Sequence, residues 1–172
     1  DWGKYPATMG VREFYGGDIR GVMEKLDYLQ DLGVEVLYFN PLFVSPSNHK
    51  YDIQDYDYVD PHFTTIAVDE GEVLPEGSLN NIQATKYISR VTDKRNLEAS
   101  NAFFVKFVEE VHRRGMRVIL DGVFNHCGSF NKWMDAERLY ENQYGYEKGA
   151  YVDKNSPYHN YFKFYNEEEW PY

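Results

Sequence analysis

From Ile19 the apolar positions fall at Ile19, Val22, Met23, Leu26, Leu29 and Leu32. That spacing lines one face of a helix, opened by Asp18 as N-cap and closed by Gly33. The run VEVLYFNPLF follows at once. It is β-rich without clean alternation, which predicts a short strand buried on both faces and stopped by Pro41. The logic then repeats. Asn96 is expected to cap a second helix whose inner face carries Leu97, Phe103, Phe104, Phe107, Val108 and Val111, Gly115 ends it, and MRVILDGVF reads as the next buried strand.

Helix, strand, long loop, helix, strand, with glycine where helix passes to strand, is the order expected of βα units and a parallel sheet. Right-handed crossovers would bring both strand C-termini to one rim, where α/β folds of either kind place their sites. Residues 44–95 make a very long connection, and residues 127–172 are rich in Tyr and Asn with little periodicity. Loops of that length in a compact domain are usually functional or belong to a subdomain. Two strands cannot bury their own faces well, so the pattern reads as a piece of a larger fold.

Composition narrows the function. The chain has 172 residues, of which 42% are hydrophobic and 17% aromatic, and a formal net charge of -10. The charge argues against nucleic acid and anionic membrane surfaces as partners. Aromatic richness on an acidic chain suits a neutral, hydroxyl-rich ligand. No apolar run approaches the roughly 20 residues needed to span a bilayer. The chain begins at Asp1 without Met or a signal-like segment, which reads as a processing or segment boundary. The single Cys127 excludes an intramolecular disulfide and a cysteine-based zinc site built from this chain alone. There is no HExxH pair, no phosphate loop and no GxGxxG, and the glycines of YGGDIRG surround an N-cap rather than a phosphate.

Three features would sit at the rim. SNHKYDIQDYDYVDP, directly after the first strand, mixes Tyr51, Tyr56 and Tyr58 with Asp52, Asp55, Asp57 and Asp60. Aromatic faces pack on the C–H surfaces of a pyranose and carboxylates accept from its hydroxyls. The same loop also reads as a solvated acidic surface with tyrosines folded onto the core. Asp121 stands in a β-run, where a carboxylate needs a partner whether it is a structural acid or the floor of a site. His126 reads either as an ordinary core or surface residue or as a rim ligand at the end of a parallel strand. Glycoside hydrolysis usually needs a pair of carboxyl groups across one bond, and no spacing here singles out such a pair.

FYGGDIRGVMEKLDYLQDLGVEVLYFNPLF, SPSNHKYDIQDYDYVDPHF and GMRVILDGVFNHCG, in this order, resemble the α-amylase family of glycoside hydrolases, its neopullulanase and cyclomaltodextrinase branch above all. They resemble that family's first barrel helix and second strand, the loop after that strand, and the third strand with a DxxxNH motif at Asp121–His126. The resemblance implies an α/β fold, a partial (β/α)8 TIM barrel of early βα units with the start of an inserted irregular subdomain. Residues 1–126 would be the N-terminal part of the barrel, which typically runs to about 250 residues, with an insertion at 64–95. Residues 127–172 would be the subdomain. The first barrel strand would precede Asp1 or lie within residues 1–13.

By the same resemblance the substrate-binding residues are Tyr51, Asp52, Asp121 and His126. Tyr51 would stack on the sugar ring before the cleaved bond and His126 would hydrogen-bond that sugar's primary hydroxyl. Asp121 would support an arginine supplied by a later segment, and Asp52 would line the site. The family's nucleophilic Asp, acid Glu and second Asp belong to motifs absent from this sequence, so none of its residues is assigned a catalytic role. The chain alone is expected to be inert. Its parent would hydrolyse or transfer α-glucosidic bonds of starch-like or maltooligosaccharide substrates with retention. No organic cofactor is expected. Calcium is compatible with the family, through Asn125 in many members, but no ligand set is assigned. Cys127 and the branch resembled point to the cytoplasm, and exposed apolar surface points to self-association, as a homo-oligomer or a dye-binding species. The competing readings are a non-catalytic carbohydrate-binding module, mostly antiparallel β, and an unrelated nucleotide-binding α/β domain.

Overall fold

A computed structural model describes residues 16–165. The expected strand within residues 1–13 and the end of the tail lie outside the described residues. The helical stretch after Asp18 is not one helix but two, α1 (Ile19–Glu24) and α2 (Leu26–Asp31), separated at Lys25. Asp18 does cap it, its carboxylate accepting from Gly21 N at 2.9 Å. Gly33 turns the chain at φ 85°, a conformation that favours glycine, into β1 (Val36–Phe39).

After Pro41 the long connection is more ordered than its sequence suggests. β2 (Phe43–Val44) and β3 (Asp55–Val59) form an antiparallel pair with an irregular register. A 3-10 turn (Pro61–Phe63) follows, and later α3 (Thr85–Thr92). The long helix α4 (Lys94–Arg113) begins one turn earlier than expected. Its cap is Asp93, whose side chain accepts from Arg95 N, and not Asn96. Asn96 is instead buried inside the helix, where Oδ1 accepts from Ala67 N and Val68 N at 2.7 Å and Nδ2 donates to Val68 O at 2.9 Å. It serves as a tether for the loop that runs over α4.

Gly115, at φ 77°, passes the chain into β4 (Arg117–Leu120). β1 and β4 pair in parallel, Val36 opposite Arg117 and Phe39 opposite Leu120, so their C-termini share one rim. The core beneath them gathers Ile19, Leu26, Leu37, Leu42, Val59, Phe107, Val111 and Met116. Phe107 is fully buried and meets Phe39 edge-on at 5.8 Å. The strands are not buried on both faces. Val36 is 42% exposed, Tyr38 61% and Ile119 49%, so the face away from α4 presents apolar side chains. A helix-flanked parallel pair is also not the antiparallel β architecture of a carbohydrate-binding module.

α4 supplies polar partners to β3 as well as apolar ones to the core. Asn101 accepts from Val59 N at 2.9 Å and donates to Asp57 O at 3.0 Å, and Ser100 Oγ donates to Val59 O at 2.6 Å. A helix thus satisfies the backbone groups that a neighbouring strand would otherwise take.

Beyond β4 the described chain has one 3-10 turn (His159–Tyr161) and no further helix or strand. Close backbone contacts hold it. Gly128 N donates to Ile53 O at 3.0 Å, and a Cβ at position 128 would stand 2.5 Å from Asp52 O. Among the described residues no helix is long and apolar enough to cross a membrane.

Candidate active site at the shared strand rim

β4 ends at Leu120, so Asp121 is the first residue past the strand rather than a carboxylate inside it. Its backbone N donates to Phe39 O at 3.0 Å, which carries the β1–β4 pairing one step beyond the strands and fixes the residue at the rim. Tyr51 Oη donates to Asp121 Oδ2 at 2.8 Å, and Tyr38 Oη donates to the same oxygen at 2.8 Å. These hydrogen bonds to the carboxylate are the largest cause of the raised pKa of both phenols, because they favour the protonated donor. Tyr51 is 38% exposed and stacks on His49 at 6.2 Å, so the ring is held while part of its surface remains open.

Tyr51 sits in its place because Lys50 makes an unusual bend. Lys50 has φ 64°, left-handed for a non-glycine, and is 1% exposed. Its ammonium donates to Ser45 O at 2.8 Å and Asp60 Oδ2 at 2.6 Å. Asp60 is fully buried and also meets His62 Nδ1 at 2.7 Å. Burial pushes its carboxyl up, but the Lys50 and His62 charges outweigh burial and hold it well below the usual carboxylate range. Within this loop the Asp52 Oδ1 accepts from the hydroxyls of Ser45 and Ser47. The structure therefore joins Tyr51 to Asp121 and gives Asp52 a bracing role within the loop.

His126 lies further along the same rim and is exposed, with Nδ1 3.4 Å from Asn125 Nδ2. Its backbone is fixed from β3. Tyr56 Oη lies 2.8 Å from both Val123 O and His126 O, within donating distance of each. The Tyr56 ring stacks on Trp133 at 5.3 Å and 11°. Beside it Lys132 bonds Asp55 Oδ1 at 2.6 Å and Asp57 Oδ2 at 2.5 Å, while the buried Asp55 Oδ2 has no hydrogen-bond partner. An aromatic stack and a buried ion pair thus clasp the loop after β1 to the segment after β4.

Tyr38, Lys50 and Lys132 were not legible as site residues in the sequence. Tyr38 lies in a run that reads as strand core, and only its hydrogen bond to Asp121 places its hydroxyl at the rim. Among the described residues no group of three or more His, Cys, Asp or Glu side chains gathers as a metal site. Calcium takes six to eight oxygens.

The sequence model of "Alpha amylase, catalytic domain" matches residues 5–70 and 99–172, and the chain belongs to that family. The unmatched stretch, 71–98, holds α3 and the start of α4. The chain is 41% identical over 127 residues to an intracellular maltogenic amylase of Bacillus subtilis, covering 73% of this chain and 16% of that protein. It is 32% identical over 172 residues to a cyclomaltodextrinase of Thermoanaerobacter pseudethanolicus, covering 99% and 20%. Among solved structures it resembles the type III pullulan hydrolase from Thermococcus kodakarensis, with TM-score 0.60 and 33% identity, covering 99% and 21%. The chain thus spans a fifth or so of the length of these relatives.

Proposed function

We propose that this chain is the early part of a (β/α)8 barrel, with residues 127–172 as the start of an inserted subdomain, in an α-glucan hydrolase. It supplies the sugar-receiving half of the active site. The convergence of Tyr51 and Tyr38 on Asp121, at the shared C-terminal rim of a parallel pair, carries this reading. A partly exposed ring beside a fixed carboxylate offers a sugar a stacking face and a hydrogen-bond acceptor. His126, aligned by Tyr56, offers a second polar contact across the same rim.

In this reading the substrates are maltooligosaccharides or starch-like glucans, and the reaction retains configuration through a glycosyl-enzyme intermediate. The bond-breaking carboxylates come from segments outside this sequence. Asp121 holds its position through the tyrosines and receives an arginine from one of those segments. The names of the maltogenic amylase, the cyclomaltodextrinase and the pullulan hydrolase support the substrate class, and the intracellular amylase supports the cytoplasm.

The test is maltooligosaccharide hydrolysis by the full-length protein that carries this segment, with the released anomer followed by NMR. Initial release of the α-anomer is expected, and β-anomer first would sink the retaining mechanism. His126→Ala should lower turnover far more than the melting temperature. A large fall in melting temperature with normal turnover would remove His126 from the site.

A further inference from the structure

A second cleft, of about 560 Å³, lies apart from the rim and includes none of Tyr51, Asp52, Asp121 or His126. One wall comes from the start of α4 and from α3 with the turn before it, inside the stretch that the family's sequence model does not match. The facing wall is the turn 138–144, which the model does match. The cleft is therefore built where a segment that the family's sequence model does not match docks on one that it does. Ile88 and the buried Leu139 pack together beneath it, and Asn81 Nδ2 donates to Glu137 Oε2 at 3.0 Å to hold the two walls together.

We propose that this cleft binds a short stretch of neutral α-glucan, as a non-catalytic site that holds the substrate chain while the rim works on it. The proposal rests on the α-glucan reading of the rim. The volume falls within the roughly 300–1,000 Å³ of small-molecule clefts. The lining combines an apolar floor, Ile82, Ile88 and Leu139, with the amides of Asn142 and Gln143 and the ring of Tyr144. Tyr144 is 99% exposed, so its ring is free to pack on a sugar face.

The cations of the cleft favour a neutral ligand over a phosphorylated one. Arg95 is paired with Asp93 at 2.6 Å and Arg138 with Glu141 at 3.1 Å. The Lys94 ammonium lies over the rings of Tyr146 at 4.0 Å and Tyr58 at 5.0 Å. An added phosphate would have to displace carboxylates in a chain of net charge -10. Guanidinium N–H groups already matched by carboxylates still donate to hydroxyls, which bring no charge of their own. The turn that presents Arg138 also holds an unusual backbone. Asp135 and Arg138 have φ 50° and 56°, and the Asp135 carboxylate accepts from Tyr140 N to close it. Left-handed non-glycine residues concentrate at ligand-holding sites.

The experiment is calorimetric titration of maltotetraose into the full-length protein and its Tyr51→Ala, Tyr144→Ala and double variants. Tyr144 is exposed, so its truncation leaves folding intact. Tyr51→Ala should abolish hydrolysis yet retain one binding event. Adding Tyr144→Ala should weaken that event by about tenfold or more, whereas Tyr144→Ala alone should leave the hydrolysis of maltotriose unchanged. The proposal falls if the Tyr51→Ala protein binds no maltotetraose, if Tyr144→Ala leaves its affinity unchanged, or if inorganic phosphate competes for the site. A wild-type protein that neither binds nor cuts maltooligosaccharides would instead overturn the reading of the rim itself.

Discussion

The two sides of the rim are held by different physics. Under β1 and β4 lies an apolar core in which Phe107, Leu26 and Val111 are fully buried. On the other side, the connection after β1 is braced within itself by the buried pair of Lys50 with Asp60 and is joined to the segment after β4 by Lys132 with Asp55 and by Tyr56 with the His126 carbonyl. An apolar core tolerates an approximate substitute, because burial is non-directional. A buried ion pair does not, because removing one partner strands the other.

The sharpest way to break this comparison sets Lys50→Met against Phe107→Leu. The first takes the ammonium from the fully buried Asp60, leaving it only His62 and backbone N–H groups, and should cost about 3–5 kcal/mol. The second keeps an apolar side chain in place and should cost about 1–2 kcal/mol. Urea denaturation of both variants measures the gap, and equal losses would erase the distinction.

A smaller effect separates two carboxylates by pH. Asp60 is held below the usual carboxylate range, so its contribution to stability is present above that range and lost as pH falls below it. Asp135 goes the other way. Burial raises its pKa to about 6, against the pull of the Tyr140 amide, so the folded state holds the proton more tightly than the unfolded chain does. Its contribution is greatest at acid pH and declines as pH climbs from about 4 to about 6. Asp135→Asn keeps an acceptor for Tyr140 N without the charge. Its melting temperature should gain on the parent protein across that window and keep a constant lead above it, a difference of order 1–3 kcal/mol. A lead that does not change with pH would contradict this.

Tyr56→Phe should have the smallest effect on stability, about 1 kcal/mol, since it removes one hydroxyl and keeps the stack on Trp133. In the full-length enzyme it should still lower turnover more than affinity, because the turn carrying His126 loses its fastening. Unchanged turnover would confine Tyr56 to packing.

The same division explains what the sequence disclosed. The apolar face of α4, the strands β1 and β4 and the turns at Gly33 and Gly115 follow from local periods and from backbone conformation. The break at Lys25 was not legible, since the apolar positions run through it. Asn96 reads as a cap from its sequence because the residue type suits one. Only the fold, by laying residues 67 and 68 across the helix, reveals a tether. The β2–β3 pair is short and irregular, and its edge is satisfied by Asn101 and Ser100 on a helix far along the chain. Tyr51 stands out in an aromatic and acidic loop and Asp121 as a carboxylate in a β-run, with family likeness adding only their roles, whereas Tyr38 is masked by its place in an apolar run. The outward exposure of that run had no local signature, because it depends on what the sheet lacks on its other face.

Gly128 carries a further consequence, one for heredity rather than for energy. Its α-carbon faces the Asp52 carbonyl so closely that even a methyl group would collide with the backbone one residue from Tyr51. In a library of random variants, position 128 should return a single letter, while exposed Ser129 beside it accepts many. The length of the loop after β1 and the start of the segment after β4 are locked to each other there, so insertions in either should survive only on the far side of that contact.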